Sequence, residues 1–265
     1  MLARQRQGRI LEWVRQAGAV RVAELVRELG VSEMTVRRDL AALAERGFID
    51  KVHGGAAPVR SSALLEPGFA AKSTLQPAEK AAIAAEAATL VAPGMAIGLS
   101  AGTTTAVLAR RLAEVPGLTV VTNSPRVADA FTEARSQGQT LVLTGGVRTP
   151  SDALVGPFAL AVLERVHLDL VVLGTHGMEP RAGFTSPNLL EAETNRAMVA
   201  AGQRLVIVAD HTKWGLVALS SFARLDQADV LISDSGLDAE ARAALAAQVR
   251  ELRCAEVASS ASRVA

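Results

Sequence analysis

The chain has no tyrosine, only 3% aromatic residues, a single cysteine and almost no net charge. Each shortage removes a class of explanation. Cys254 alone cannot close an internal disulfide, and one thiol cannot build a thiolate metal cluster. No apolar run approaches the ~20 residues needed to span a bilayer, so no membrane partner is expected. Residues 1–30 lack the continuous apolar stretch of a secretory signal, and a cytoplasmic location is the expectation. A nucleophile elbow, a metal triad and a dinucleotide glycine fingerprint are all missing, as are internal repeats. What is abundant is hydrophobic residues, 49% of 265 and rich in alanine, which predicts well-buried structure. At this length two domains are the natural expectation.

The 28 Lys+Arg and 27 Asp+Glu are unevenly placed: residues 1–60 hold 11 and 7, leaving 17 and 20 for the rest. The basic surplus coincides with a helical pattern. Val22, Leu25, Val26 and Leu29 recur at i, i+3, i+4 and i+7, and Gly30 follows as a left-handed stop. Ser32 is placed to cap a second helix beginning at Glu33, whose Val36, Leu40 and Leu43 form the buried stripe. That leaves Met34, Thr35, Arg37, Arg38 and Ala42 around the opposite side. Ile10 and Val14, with Leu11, supply a preceding helix with its apolar face. Two short helices joined by a Gly-Val-Ser turn have the form of a helix-turn-helix. An outward face with two arginines and a threonine near its start suits a major groove: arginine reaches guanine or phosphate, threonine a phosphate or a thymine methyl. Gly47 ends this helix, Phe48 to Val52 alternates as a strand, and Gly54-Gly55 permits a wing flanked by Lys51 and His53. The plainer reading is a small helical bundle with a solvated charged face, but the local basic surplus favours a phosphate-binding module.

Residues 58–77, with Pro58, Ser61, Ser62, Pro67, Gly68 and Pro77, read as a linker, although Leu64, Leu65 and Phe69 suggest some packing. From 78 onward, strand candidates at 95–99, 118–122, 140–144, 168–173, 204–209 and 229–233 alternate with helices near 78–91, 104–114, 125–135, 157–165, 189–201 and 238–252. Short apolar strands separated by helices predict an α/β domain whose mostly parallel sheet is covered on both faces. The expected organisation is therefore a DNA-binding domain at 1–57, a linker at 58–77 and an α/β domain at 78–265.

In such a sheet ligands gather where strand ends meet helix starts. The strand at 95–99 runs into Ser100-Ala-Gly-Thr-Thr-Thr105, where Gly102 admits close backbone approach and Thr103, Thr104 and Thr105 offer hydroxyls to an anion at a helix N-terminus. Asn123, Gly145-Gly146, His176 and the Asp210-His-Thr-Lys213 run close the next strands. Singly each has a plainer reading: a capped helix, a turn, a satisfied loop histidine, a surface pair. Together they point to a polar pocket for a small phosphorylated molecule.

Two sets of motifs carry a family resemblance. Val20-Arg-Val-Ala-Glu-Leu25, Val31-Ser32, Thr35-Val36-Arg37-Arg38-Asp39-Leu40 and His53-Gly54-Gly55-Ala56 resemble the N-terminal domain of DeoR-type bacterial transcription regulators. Ala101-Gly-Thr-Thr-Thr105, Val121-Thr-Asn-Ser124, Thr144-Gly-Gly146, Leu173-Gly-Thr-His-Gly-Met178 and Ala209-Asp-His-Thr-Lys213 are similar to the family's effector domain, over most of residues 75–235. The resemblance implies a winged helix-turn-helix with Ser32, Thr35, Arg37 and Arg38 facing DNA and His53 with the glycines in the wing. It implies a second domain similar in fold to ribose-5-phosphate isomerases, sensing a phosphorylated sugar and requiring no cofactor. Gly102 and Thr103 to Thr105 would hold the phosphate, while Asn123, Gly146, Asp210 and Lys213 line the rest. Three positions depart from the family pattern: Ser100 and His176 where aspartate is common, and Asn195 where lysine is usual, with Arg196 beside it.

A rival reading is a sugar-phosphate isomerase or deaminase, for which Glu191, Glu193, Asp210 and His176 are the conceivable bases. Ser100 and His176, at possible acid/base positions, speak against turnover, and an attached DNA reader favours a sensor. A third reading makes the second domain an inert dimerisation unit. The expectation is a homo-oligomeric repressor, dimer or tetramer, of carbohydrate metabolism genes, binding paired operator half-sites under control of a sugar phosphate.

Overall fold

The computed structural model describes residues 3–45, 49–52, 54–58, 68–133 and 138–257. The chain forms two compact units, Met1–Pro67 and Gly68–Ala265.

The first unit holds helix α1 (Ala3–Ala17), strand β1 (Val20–Arg21), helices α2 (Val22–Leu29) and α3 (Glu33–Glu45), and strands β2 (Ile49–Val52) and β3 (Gly55–Pro58). Its core is the stripe read from spacing: Ile10 and Val14 of α1, Val22, Leu25 and Leu29 of α2, Val36, Leu40 and Leu43 of α3, closed by Ile49 and Ala56. Gly30 is left-handed at φ 63° and its N–H returns to the Val26 carbonyl at 3.0 Å, stopping α2 as expected. Ser32 caps α3 by accepting from the Thr35 N–H at 3.3 Å. Asp39, on the buried side of α3, is bound by Arg6 and, at 3.1 Å, by Gln7 of α1, so it clamps two helices and does not face outward. The sheet runs β1-β3-β2, and Val52 pairs with Gly55 across a tight reversal. Gly47, Phe48 and His53 lie outside the described residues.

Gly55 has a steric role. A Cβ there would stand 2.2 Å from the Val20 carbonyl oxygen. Gly55→Ala should therefore push β3 from β1 and cost about 1–3 kcal/mol of stability in this unit, measured by denaturant unfolding.

The second unit begins with α4 (Phe69–Ser73), α5 (Pro77–Ala88), β4 (Ala96–Leu99), α6 (Thr103–Leu112), β5 (Thr119–Thr122), α7 (Pro125–Glu133) and β6 (Thr140–Leu143). A hairpin follows, β7 (Val147–Arg148) and β8 (Leu154–Val155), then α8 (Pro157–Leu163), β9 (Leu170–Gly174), β10 (Gly177–Glu179), β11 (Gly183–Ser186) and α9 (Leu189–Ala201). The chain ends with β12 (Leu205–Val208), β13 (Ser220–Ala223), β14 (Val230–Asp234), α10 (Ala239–Ala246) and β15 (Leu252–Ala255). Seven strands make one parallel sheet in the order β15-β14-β12-β9-β4-β5-β6. Alternation along each strand divides the core in two. Val206 and Val208 join Ile83, Leu108 and Val127 beneath α5, α6 and α7, whereas Leu205 and Ile207 join Leu163, Met198 and Leu245 beneath α8, α9 and α10.

Three expectations need correction. The helix at 238–252 stops at Ala246, and 252–255 is a seventh strand. It is an edge strand carrying Arg253, which bonds Glu86 and Glu251, so it lacks the apolar run that marks a central strand. The short antiparallel sheets β10-β11-β13 and β7-β8 were not anticipated, because two- to four-residue strands leave almost no periodicity. Residues 68–77 of the expected linker belong to the second unit: α4 occupies 69–73, with Phe69 packed under Arg126, and Pro77 is the first residue of α5. The part of the expected linker at 59–67 lies outside the described residues. Among the described residues no helix is long and apolar enough to cross a membrane, and no group of three His, Cys, Asp or Glu is placed to hold a metal ion.

Candidate DNA interface and effector site

The outward face of α3 presents Met34, 71% exposed, with Arg37 and Arg38, also exposed, and half-buried Thr35. Ser32 and Thr35 share a hydroxyl–hydroxyl hydrogen bond of 2.9 Å at the helix start. Arg37 is tied to Glu33 one turn back, Nε to Oε1 at 2.8 Å, while no carboxylate among the described residues pairs with Arg38. In the wing Lys51, Val52 and Gly54 are exposed. His53 lies outside the described residues. Helix and wing thus place donors and one ammonium on exposed backbone elements of a single small unit, as groove and phosphate contacts require.

In the second unit the sheet order reverses between β4 and β9, the place where ligands enter doubly wound sheets. Ser100, directly after β4, bridges these strands: its N–H bonds the Val172 carbonyl at 3.2 Å and its hydroxyl accepts from the Gly174 N–H at 3.1 Å. Buried to 1% exposure, it holds the crevice together rather than lining it. Next come Gly102 and α6, which begins without any side-chain cap. Thr103 is half-buried and Thr104 is 8% exposed. Thr105 is fully buried and donates its hydroxyl to the Gly102 carbonyl at 3.0 Å, closing the turn. Asn123 also acts behind the loop. Its Oδ1 accepts from the Ala101 N–H at 2.9 Å and its Nδ2 donates to the Leu154 carbonyl at 3.1 Å, bracing β4's end against β8. Gly146, at φ 115°, admits the Val155 carbonyl, which a Cβ would meet at 2.4 Å.

On the other side of the reversal stand the ends of β9 and β12. His176 is half-buried, its N–H on the Thr185 carbonyl at 3.1 Å. Burial, reinforced by the positive charges of Lys213 and Lys72, pulls its imidazole down to about 4, so it is neutral at physiological pH. Asp210 is 3% exposed and accepts from the Thr212 N–H at 3.1 Å and from the Thr212 hydroxyl. Lys213 approaches Asp210 only to 4.0 Å, a loose contact.

Sequence reasoning missed a buried cation whose charge acts on Asp210 and Lys213. Lys80 of α5 is 4% exposed, and its Nζ donates to the carbonyls of Lys72 and Leu75, each at 2.6 Å. Burial drops its ammonium to about 8; Asp210 opposes the drop, and Lys213 and Lys72 add to it. The signal was available: Lys80, Ile83, Ala84 and Ala87 form the buried stripe of α5, and a lysine on such a stripe is costly without a partner or a purpose. Also missed was His211. Its Nδ1 lies 2.7 Å from Asp234 Oδ1, and the hydrogen bond raises the imidazole although burial opposes it. Burial pushes the Asp234 carboxyl up, yet hydrogen bonds from the His211 side chain and from the His211 and Gly236 amides outweigh it and hold it below its usual range. Glu191, a conceivable base, is bound by the hydroxyls of Thr149, at 2.5 Å, and Ser151. Glu193 is exposed on α9, and Asn195 is half-buried.

Comparison with known proteins follows this division of the chain. A family model described as a DeoR-like helix-turn-helix domain matches residues 6–62, and one described as the DeoR C terminal sensor domain matches residues 75–235. The HTH-type transcriptional regulator GlpR of Haloferax volcanii is 39% identical over 243 residues, covering 91% of this chain and 94% of that protein. GolR of Listeria innocua, another HTH-type transcriptional regulator, is 35% identical, covering 88% and 91%. The transcriptional repressor AccR of Agrobacterium fabrum is 32% identical, covering 87% and 89%. Among solved structures a D-ribose-5-phosphate isomerase aligns with 51% of this chain and 52% of its own at 18% identity and a TM-score of 0.38, a distant likeness that bears on neither activity nor ligand. Matched along both units and over most of its length, this chain belongs to the DeoR family and is a DNA-binding transcriptional regulator rather than an enzyme.

Proposed function

We propose that the protein is a repressor of carbohydrate metabolism genes whose second unit binds a phosphorylated sugar. The observation that carries this reading is the uncapped N-terminus of α6 at the sheet reversal, in a unit that also holds the buried Lys80 and the loosely held Lys213, whose charges act on each other. A helix start supplies unpaired amides and partial positive charge, and ammonium groups supply full charge, the combination that suits a phosphate monoester. Backbone N–H groups at 103–105, the hydroxyls of Thr103 and Thr104, Lys80 and Lys213 are the proposed phosphate contacts. His176, Asp210, Gly146 and Asn195 are the proposed surroundings of the sugar. Ser100, Asn123 and Thr105 support them from behind. On the first unit Ser32, Met34, Thr35, Arg37 and Arg38 of the helix, with Lys51, His53 and Gly54 of the wing, are the proposed DNA contacts. Operator recognition by one small reader buries too little surface for high specificity, so self-association through the second unit belongs to the same reading.

The experiment is a titration of the protein on the DNA upstream of its own gene, at fixed salt, with sugar phosphates and their unphosphorylated parents. Specific binding altered by one phosphosugar and not by its parent is the expected result. Specific binding indifferent to every phosphosugar would leave the reader standing and remove the sensor reading.

The reading has a pH signature. A bound anion favours the charged form of Lys80, so its ammonium titrates higher in the complex than the value of about 8 in the free protein. Affinity is therefore full below about 8 and falls as pH rises through that value, with proton uptake on binding. Below roughly 6 the phosphate itself loses its second charge. His176, neutral down to about 4, adds nothing in this range. Calorimetry in buffers of different ionisation enthalpy at pH 8 measures the uptake; a buffer-independent enthalpy would remove Lys80 from the phosphate contacts.

A further inference from the structure

The ammonium of Lys80 is bonded to the segment that opens the second unit, and its charge acts on Asp210 and Lys213 of the proposed pocket. Of its three N–H groups, two are committed to the carbonyls of Lys72 and Leu75. Those carbonyls belong to α4 and to the turn after it, the first structure that forms after Gly68 opens the second unit. This segment has little stability of its own. α4 is five residues long, begins without a side-chain cap and buries no side chain completely, and a single turn of helix is unstable in water unless something outside it holds it. Its junction with α5 passes through Gln76 at φ 47°, a left-handed conformation that a non-glycine residue adopts only when its surroundings impose it. It also has its own helical bond from the Lys72 N–H to the Gly68 carbonyl at 3.2 Å, Arg126 lies 5.4 Å above the Phe69 ring, and Lys72 and Thr74 make further contacts.

We propose that Lys80 couples occupancy of the pocket to the order of this segment: a phosphate oxygen that accepts from its third N–H tightens the two hydrogen bonds that hold Lys72 and Leu75. The inference rests on the pocket reading above. The physical reason is that an anion beside Lys80 keeps it fully charged and in one orientation, and a charged donor bonds a carbonyl more strongly than a neutral amine does. The electrostatic setting agrees: burial has weakened Lys80's hold on the proton, and Lys213 and Lys72 weaken it further, against the opposing charges of Asp210 and Glu79. Ligand energy thus reaches a short, uncapped helix that is covalently continuous with the reader. A segment that opens locally at low cost is where a modest free energy changes populations most.

Hydrogen exchange of the full-length protein, in millimolar inorganic phosphate against chloride at equal ionic strength, tests this. Exchange at 69–76 should slow on the order of tenfold, together with the amides at 103–105. Slowing at 103–105 alone would overturn the coupling and leave the pocket reading intact. Slowing at neither place would overturn the pocket reading and the coupling with it. In Lys80→Met the phosphate effect at 69–76 should disappear, and with it the change in operator affinity produced by an active phosphosugar. An unchanged ligand response in that variant would overturn the proposal. Should Lys80→Met not fold, Lys213→Gln keeps both carbonyl bonds and serves instead. Its exchange at 69–76 should match the parent without phosphate and slow less with it, and full slowing would count against the coupling.

Discussion

Arg38→Ala should weaken operator binding by about 1–3 kcal/mol and relax sequence preference at one position of each half-site, if the guanidinium grips a guanine edge. Arg38 sits one residue past Arg37 on the exposed side of α3, while Val36 and Leu40 anchor the opposite side in the core, so its direction is set by packing. No carboxylate among the described residues competes for it, whereas Arg37 is engaged by Glu33 at 2.8 Å. Releasing Arg37 from Glu33 offsets part of what it gains on DNA, and Arg37→Ala should cost less. The comparison is a pair of binding isotherms at several salt concentrations. A phosphate-only role for Arg38 would show as a uniform loss across sequences with a salt slope smaller by about one. Unchanged affinity together with unchanged preference would remove Arg38 from the interface. Because the side chain is exposed, the melting temperature should stay near that of the parent.

Lys213→Ala should lower phosphosugar affinity about 10- to 100-fold while leaving operator binding without ligand near the parent value, as expected for a lost charge-assisted contact. Its ammonium is 4.0 Å from Asp210, too far for a tight pair, so little internal bonding is lost with it. Asp210 keeps its two bonds from Thr212 and stays satisfied without the lysine. Normal induction in the variant would remove Lys213 from the site. A parallel loss of DNA binding would instead mean that the residue supports the fold, which thermal melting would reveal.

Legibility differed between the two units for a physical reason. In the reader, apolar residues at helical spacing occur within about 30 residues, and each lands in one small core: Val22, Leu25 and Leu29, then Val36, Leu40 and Leu43. The stop at Gly30 and the cap at Ser32 are local events, and local chemistry is written in consecutive residues. In the sheet domain the six apolar strands were legible, but the edge strand at 252–255 was not, because its residues face partly outward and it needs β14 as a template.

The candidate site followed the same rule. The sequence by itself determined the family, the helix-turn-helix, the alternation that makes a parallel sheet and the polar runs at the strand ends, since these depend on residue order and short-range spacing. Only the tertiary structure decided which backbone groups those polar side chains bond. Ser100, Asn123 and Thr105 make hydrogen bonds to backbone from elsewhere in the unit or the turn, a fact that no spacing displays. It also decided that Lys80, some twenty residues before the glycine–threonine loop, lies near Asp210 and Lys213, and that His211 meets Asp234. A parallel sheet places strand ends that are far apart in the chain about 4.8 Å apart in space, so neighbourhood at its carboxyl edge is set by strand order and not by distance along the sequence.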